Sequence, residues 1–368
     1  MSIAIAYSQK LSPADASMDV KEQLSGIQPK MVIFFASSVF DQQLICQEIQ
    51  AAFPAIVTFG CSTAGEIVSG KMLKNAVVAM AFDEDSLADV QVQVVEDISS
   101  DDSIKKALAS FEQHYGEAVS QMDYRKYAGI VLMDGLSLAE ENFIERLGDM
   151  TNVAFIGGSA GDDLKFEKTY VYSNGRAYSH AAVLALLRPN KDFAFVKTQS
   201  FSMLDKTLTA TKVIPETREV VEFNNKPAAV AYAEALGVSV QEASDKFMSN
   251  PVGLVAHDEV FVRSPQQLKG NNMAFYCNII EGMEVELLNS EDIITDTQNA
   301  LNDKIKEFGE ISGIINFNCI LRTLELEAMK QTEAYAEVFS EIPTIGFSTY
   351  GEAFYGHINQ TATMLLFK

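Results

Sequence analysis

Two cysteines, one arginine and a few histidines are the side chains of this 368-residue chain whose types and spacing could do chemistry. Cys319 closes the run 314–319 and stands three residues before Arg322. A thiolate is activated by a nearby cation or a helix N-terminus, so Cys319, His357 and Glu352 could supply a cysteine-hydrolase set. The competing reading makes Cys319 and Cys61 small buried hydrophobes at strand ends, and it is the one preferred for both. Arg322 offers a rigid fork suited to a carboxylate, which a ligand or Glu352 could supply. Its alternative is an internal Arg–Glu brace. The four histidines are His114, His180, His257 and His357, and no two have zinc-site spacing.

Several of these residues lie in or beside a motif that recurs. Thr58-Phe59-Gly60-Cys61-Ser62-Thr63-Ala64-Gly65-Glu66 returns as Thr344-Ile345-Gly346-Phe347-Ser348-Thr349-Tyr350-Gly351-Glu352, and a weaker copy is Phe155-Ile156-Gly157-Gly158-Ser159-Ala160-Gly161-Asp162. Each copy ends a short apolar run, the pattern of a buried strand entering a turn. Strand ends are the usual ligand sites of α/β proteins, which makes Ser62, Glu66, Ser348 and Glu352 binding candidates with Cys61, Cys319 and Arg322.

The elements that must position them are strand–helix–strand units. Strands are expected at 31–35 and 55–59 around a helix at 41–52. A second unit has strands at 129–133 and 153–156 around a helix at 138–150, with Ser137 and Glu140 as a capping box. A third runs from the strand 313–317 through one helix carrying Leu324 and Phe339 to the strand 343–347. Such units imply parallel pairing. The runs 76–82, 90–95, 169–172 and 181–187 follow too closely for crossovers and are read as antiparallel. The fold class is therefore α/β with mixed parallel and antiparallel sheets, in two related domains. A polar, Pro-containing stretch at 188–191 suggests a linker, dividing the chain into 1–188 and 189–368 with a ligand cleft between the halves.

Composition narrows the partners. With 48% hydrophobic residues the chain can bury a large core, and its formal charge of −22 disfavours nucleic acid and anionic membrane surfaces. No apolar stretch has the length of a membrane span, so no membrane insertion is expected. The four scattered cysteines fit reduced thiols and a cytoplasmic location.

The motifs at 60–66, 157–163, 318–322, 346–352 and 357–361, with Asn250-Pro251-Val252-Gly253 and Val262-Arg263-Ser264-Pro265, resemble the FIST family of bacterial sensory domains, in both its N- and C-terminal parts. The resemblance implies a non-enzymatic, stand-alone sensor of a small-molecule or gas ligand. It is similar to haem-binding nitric-oxide sensors that regulate a histidine kinase or a cyclic-di-GMP enzyme. On that reading haem is the cofactor, held by His357 or, as second choice, His257, with Arg322 available to a propionate. The alternatives are the cysteine-dependent hydrolase and a ligand-free interaction scaffold.

Overall fold

Three parallel strand pairs set the frame. Met31–Ser37 pairs with Val57–Thr63, Ala128–Met133 with Phe155–Ser159, and Gly313–Cys319 with Thr344–Thr349. The crossovers are the helices Gln42–Ala52, Glu140–Met150, and Ile320–Ala328 with Thr332–Glu337. The computed structural model describes residues 2–256 and 259–368. An antiparallel strand joins each pair: Val77–Phe82, Ala182–Pro189 and Thr361–Phe367 respectively. The outer neighbours of these are Ile3–Ser8, Leu87–Val95 and Phe193–Gln199. The three sheets thus share one strand order, so the chain repeats a single folding plan three times.

The repeats exchange their next strands in a cycle. Glu66–Val68, which follows the first motif copy, pairs with Thr344–Thr349 of the third repeat. Glu352–Phe354, after the third copy, pairs with Phe155–Ser159 of the second. Val171–Ser173, after the second copy, pairs with Val57–Thr63 of the first. No repeat completes its sheet alone.

Strand alternation then sorts the side chains. Ile33 and Phe35, Ile130 and Leu132, and Ile315 and Phe317 all enter one central core between the sheets. The Phe35 ring lies 4.6 Å from Phe347 and 6.4 Å from Phe317. The opposite faces of the first two sheets are apolar and covered by helices: Val32, Phe34 and Ala36 in one, Val131 and Met133 in the other.

The chain forms two compact units, Met1–Thr198 with Gln298–His357 and Ala362–Lys368, and Gln199–Thr297 with Ile358–Thr361. The second unit is therefore an insertion in the third repeat. It folds the long strand Phe201–Ile214 with Glu219–Phe223 and Glu284–Ser290, over a core of Phe223, Tyr232 and Val285 beside the helix Ala228–Leu236.

Three local expectations are corrected. The stretch at Arg188 is no free linker: the strand runs to Pro189, and Asn190 is tied to Ser86 and Glu84. Strands from both sides of it share the central core. Ser137 does not cap its helix but donates to the Asp134 carbonyl, because Leu138 turns into the left-handed region. The helix expected across Leu324 and Phe339 is broken. Lys330 is left-handed, and Gln331 N–H to Leu326 O with Lys330 N–H to Glu327 O closes a Schellman motif.

Candidate ligand-binding site

The three motif copies meet directly, all in the first unit. Ala64 N–H donates to Ser348 O, Tyr350 N–H to Ser159 O, and Gly161 N–H to Ser62 O. These are equivalent bonds around a cycle, each joining the end of one copy to the serine of another. Ser62, Ser159 and Ser348 are all buried, so the copies form an enclosed polar junction rather than the walls of an open cleft. The reason for Gly60, Gly157 and Gly346 is visible here. A Cβ on each would stand 1.6, 1.8 or 2.1 Å from a carbonyl oxygen of the adjacent parallel strand, that of Phe34, Val131 or Asn316.

The motif carboxylates are structural neighbours of this junction. Glu66 takes a hydrogen bond from Thr63 Oγ1, and Glu352 takes the matching one from Thr349 Oγ1. Glu66 also accepts from Ala76 N–H at 3.0 Å. Burial pushes its carboxyl up to about 8, against the two hydrogen bonds and with Asp163 adding to the rise. A folded pKa above the unfolded one means that stability from Glu66 is fully present below about pH 4.5 and is lost as pH rises through about 8. Glu66→Gln can retain both bonds, with its oxygen on Ala76 N–H and its amide nitrogen on Thr63. The melting temperature of the variant is therefore expected to fall less than that of the parent between these pH values. Parallel curves would remove the buried acid from the account.

The third repeat departs from the other two on its outer face. Opposite the motif glycine, where they carry Phe34 and Val131, it carries Asn316; where they carry Ala36 and Met133, it carries Asn318. Both asparagines are fully buried. Arg322, on the first turn of the helix Ile320–Ala328, is 1% exposed and donates from Nε to Asn318 Oδ1 at 3.0 Å. Tyr335 OH donates to the same oxygen at 3.0 Å, and the guanidinium lies over its ring. Asn318 Nδ2 donates to Thr323 Oγ1 at 3.0 Å, and Thr323 Oγ1 is 2.8 Å from Ser348 Oγ. Asn316 Nδ2 reaches Tyr335 OH at 3.3 Å, while its Oδ1 has no hydrogen-bond partner. Burial raises the Glu325 carboxyl, with Arg322 opposing the rise.

This cluster joins two of the residues expected from sequence, Arg322 and Ser348, with four that sequence reasoning passed over: Asn316, Asn318, Thr323 and Tyr335. The available signal was two asparagines inside an otherwise apolar strand. The remaining candidates among the described residues lie elsewhere in the first unit. Cys61 belongs to the central core, and burial pushes its thiol well above the ordinary range. Cys319 caps the Arg322 helix through its backbone and is 1% exposed. Ser62 donates to Gly161 O at 2.8 Å and accepts from Tyr170 N–H. The buried His357 ring covers Gly351, where an added Cβ would meet Cε1 at 2.2 Å. His257 lies outside the described residues. His114 is a surface residue bonded to Asp89. Among the described residues no group of three or more His, Cys, Asp or Glu side chains could hold a metal, and no helix is long and apolar enough to cross a membrane.

Comparison with known proteins adds two findings. The chain is 21% identical to an uncharacterized protein of Methanocaldococcus jannaschii, over 93% of this chain and 73% of that protein. Family models match over most of its length, the FIST N domain at residues 30–226 and the FIST C domain at 228–355. The threefold plan and its motif junction are thus those of a chain that belongs to the FIST family, whose domains are associated with small-ligand sensing in signal transduction.

Proposed function

We propose that the chain is a non-enzymatic sensor that binds a small polar ligand, carboxylate-bearing by preference, at the Arg322 cluster. The observation that carries this is the substitution of Asn316 and Asn318 for the apolar residues of the other two repeats. Buried polar groups cost stability unless they are paired, so a fold that has an apolar solution twice and abandons it once points to a use for the third. The cluster gathers a guanidinium, three hydroxyls already paired within it, whose bonds a ligand would exchange, and the acceptor Asn316 Oδ1. It sits at the carboxyl ends of parallel strands and beside a helix N-terminus, both favourable for a carboxylate.

Arg322 is almost fully covered, so binding requires its helix to shift. A ligand with higher affinity for the shifted state would change the surface seen by a partner. The partner class is a histidine kinase or a cyclic-di-GMP enzyme, in the cytoplasm. The test is a thermal-shift panel of free amino acids and small dicarboxylates. At least one should raise the melting temperature of the parent and not that of Ser348→Ala. No stabilising compound, or equal shifts in both proteins, would count against the site.

Haem with nitric oxide is the finer form of the reading. The His357 ring is buried against Gly351, so a haem could reach it only if the surrounding chain opened. When bound, haem would supply the gas-binding iron. After haem reconstitution, His357→Ala is therefore expected to keep whatever Soret absorbance the parent shows. Loss of the band in the variant would assign the iron to His357 and overturn this placement.

A further inference from the structure

Away from the Arg322 cluster, a groove of about 570 Å³ opens on the helix Glu140–Met150. That volume is within the range of small-molecule sites. Its floor is apolar, formed by Ile144, Leu147, Val153 and Phe155. Two tyrosines line it, Tyr124 at 58% and Tyr355 at 74% exposure. Tyr355 follows the strand that the third repeat lends to the second, so the exchange brings this ring to the groove.

The helix violates three local rules at this one place. Gly148 sits inside it, where glycine is destabilising relative to alanine, and an added Cβ there would meet nothing within 4 Å. Glu145 and Asp149 are like charges four residues apart, an unfavourable spacing on a helix. Asp149 also lies in a last turn that holds no basic residue, where the helix dipole disfavours an anion. All three residues line the groove. Arg125 lies over the Tyr124 ring and is bonded to both oxygens of Asp123. The groove therefore combines an apolar floor, the exposed Tyr355 ring beside Tyr124, and two carboxylates, and Gly148 keeps its wall low.

From this geometry we infer that the groove between Tyr124, Tyr355 and the Glu145–Asp149 pair is a second binding site, for a small organic ammonium ion with an apolar body. The ammonium would lie on the carboxylates and the Tyr355 face and the body on the floor. The site is independent of the Arg322 proposal, since it shares no residue with that cluster and prefers the opposite charge.

The test uses the full chain with 2-phenylethylammonium and its anionic counterpart 3-phenylpropionate, followed by NMR titration. The expected result is saturable binding of the amine and none of the acid. Glu145→Gln with Asp149→Asn should weaken the amine by about tenfold or more. Gly148→Leu should abolish binding while leaving the fold intact, because leucine favours the helix and projects into open space. Equal behaviour of amine and acid, absence of saturable amine binding, or unchanged affinity in the charge variant would each overturn the proposal. The ligand panel for the Arg322 cluster should give the same result in Gly148→Leu as in the parent, which separates failure of one site from failure of the other.

Discussion

Alanine at Gly60 is expected to cost about 3 kcal/mol of stability or more, the upper end of what overpacking produces. The added Cβ would lie 1.6 Å from Phe34 O, and the obstacle is backbone in the middle of a parallel pair. No side chain can swing away to relieve it. The same change at Gly157 and Gly346 meets Val131 O and Asn316 O at 1.8 and 2.1 Å, so all three should rank among the most damaging alanines in the chain. Gly26→Ala is the matched control, since nothing lies within 4 Å of its added methyl. Surface changes of this kind stay within about 0.5 kcal/mol. Urea midpoints for the four variants test the contrast. If Gly60→Ala and Gly26→Ala unfold alike, the motif glycines are not held by close approach and the equivalence of the repeats loses its physical basis.

The second large effect is expected at Arg322. Arg322→Lys keeps the charge but loses the fork and the Nε bond to Asn318. If the guanidinium holds a ligand carboxylate, affinity should fall by roughly 1–3 kcal/mol, the scale of a charge-assisted hydrogen bond. A residue that only braces Asn318 and Tyr335 would lower the melting temperature and leave affinity intact. Both readouts are expected to move, with affinity the larger. Burial at 1% exposure excludes the remaining outcome, a solvated arginine whose replacement changes nothing.

How much of this was legible in the sequence differs by element. The repeated Gly-Ser turns marked equivalent strand ends, because a glycine forced by backbone contact leaves the same letter in each copy. The helix Gln42–Ala52 and the strands Met31–Ser37 and Ala128–Met133 were also legible from their own patterns. The strand exchange was not. Glu66–Val68 and Glu352–Phe354 are three residues each, and nothing local says that they pair outside their own repeat. For the same reason a polar stretch at Arg188 reads as a boundary, although strands on either side of it enter one core. At the site, Arg322 stood out as a cation after a buried strand. Asn316, Asn318 and Tyr335 did not, because their meaning comes from comparing repeats in register. Two asparagines in an apolar strand were visible, but that repeats one and two carry apolar residues at those positions follows from the register.

The central claim is that the third repeat's polar face binds a small ligand through Arg322. Calorimetric titration of the parent and of Arg322→Lys tests it most directly, using the compound that stabilises the parent most in the amino-acid and dicarboxylate panel. The expected result is one saturable site on the parent and an affinity lower by about tenfold or more in the variant. Identical isotherms for the two proteins, or no heat from any member of the panel, would contradict it.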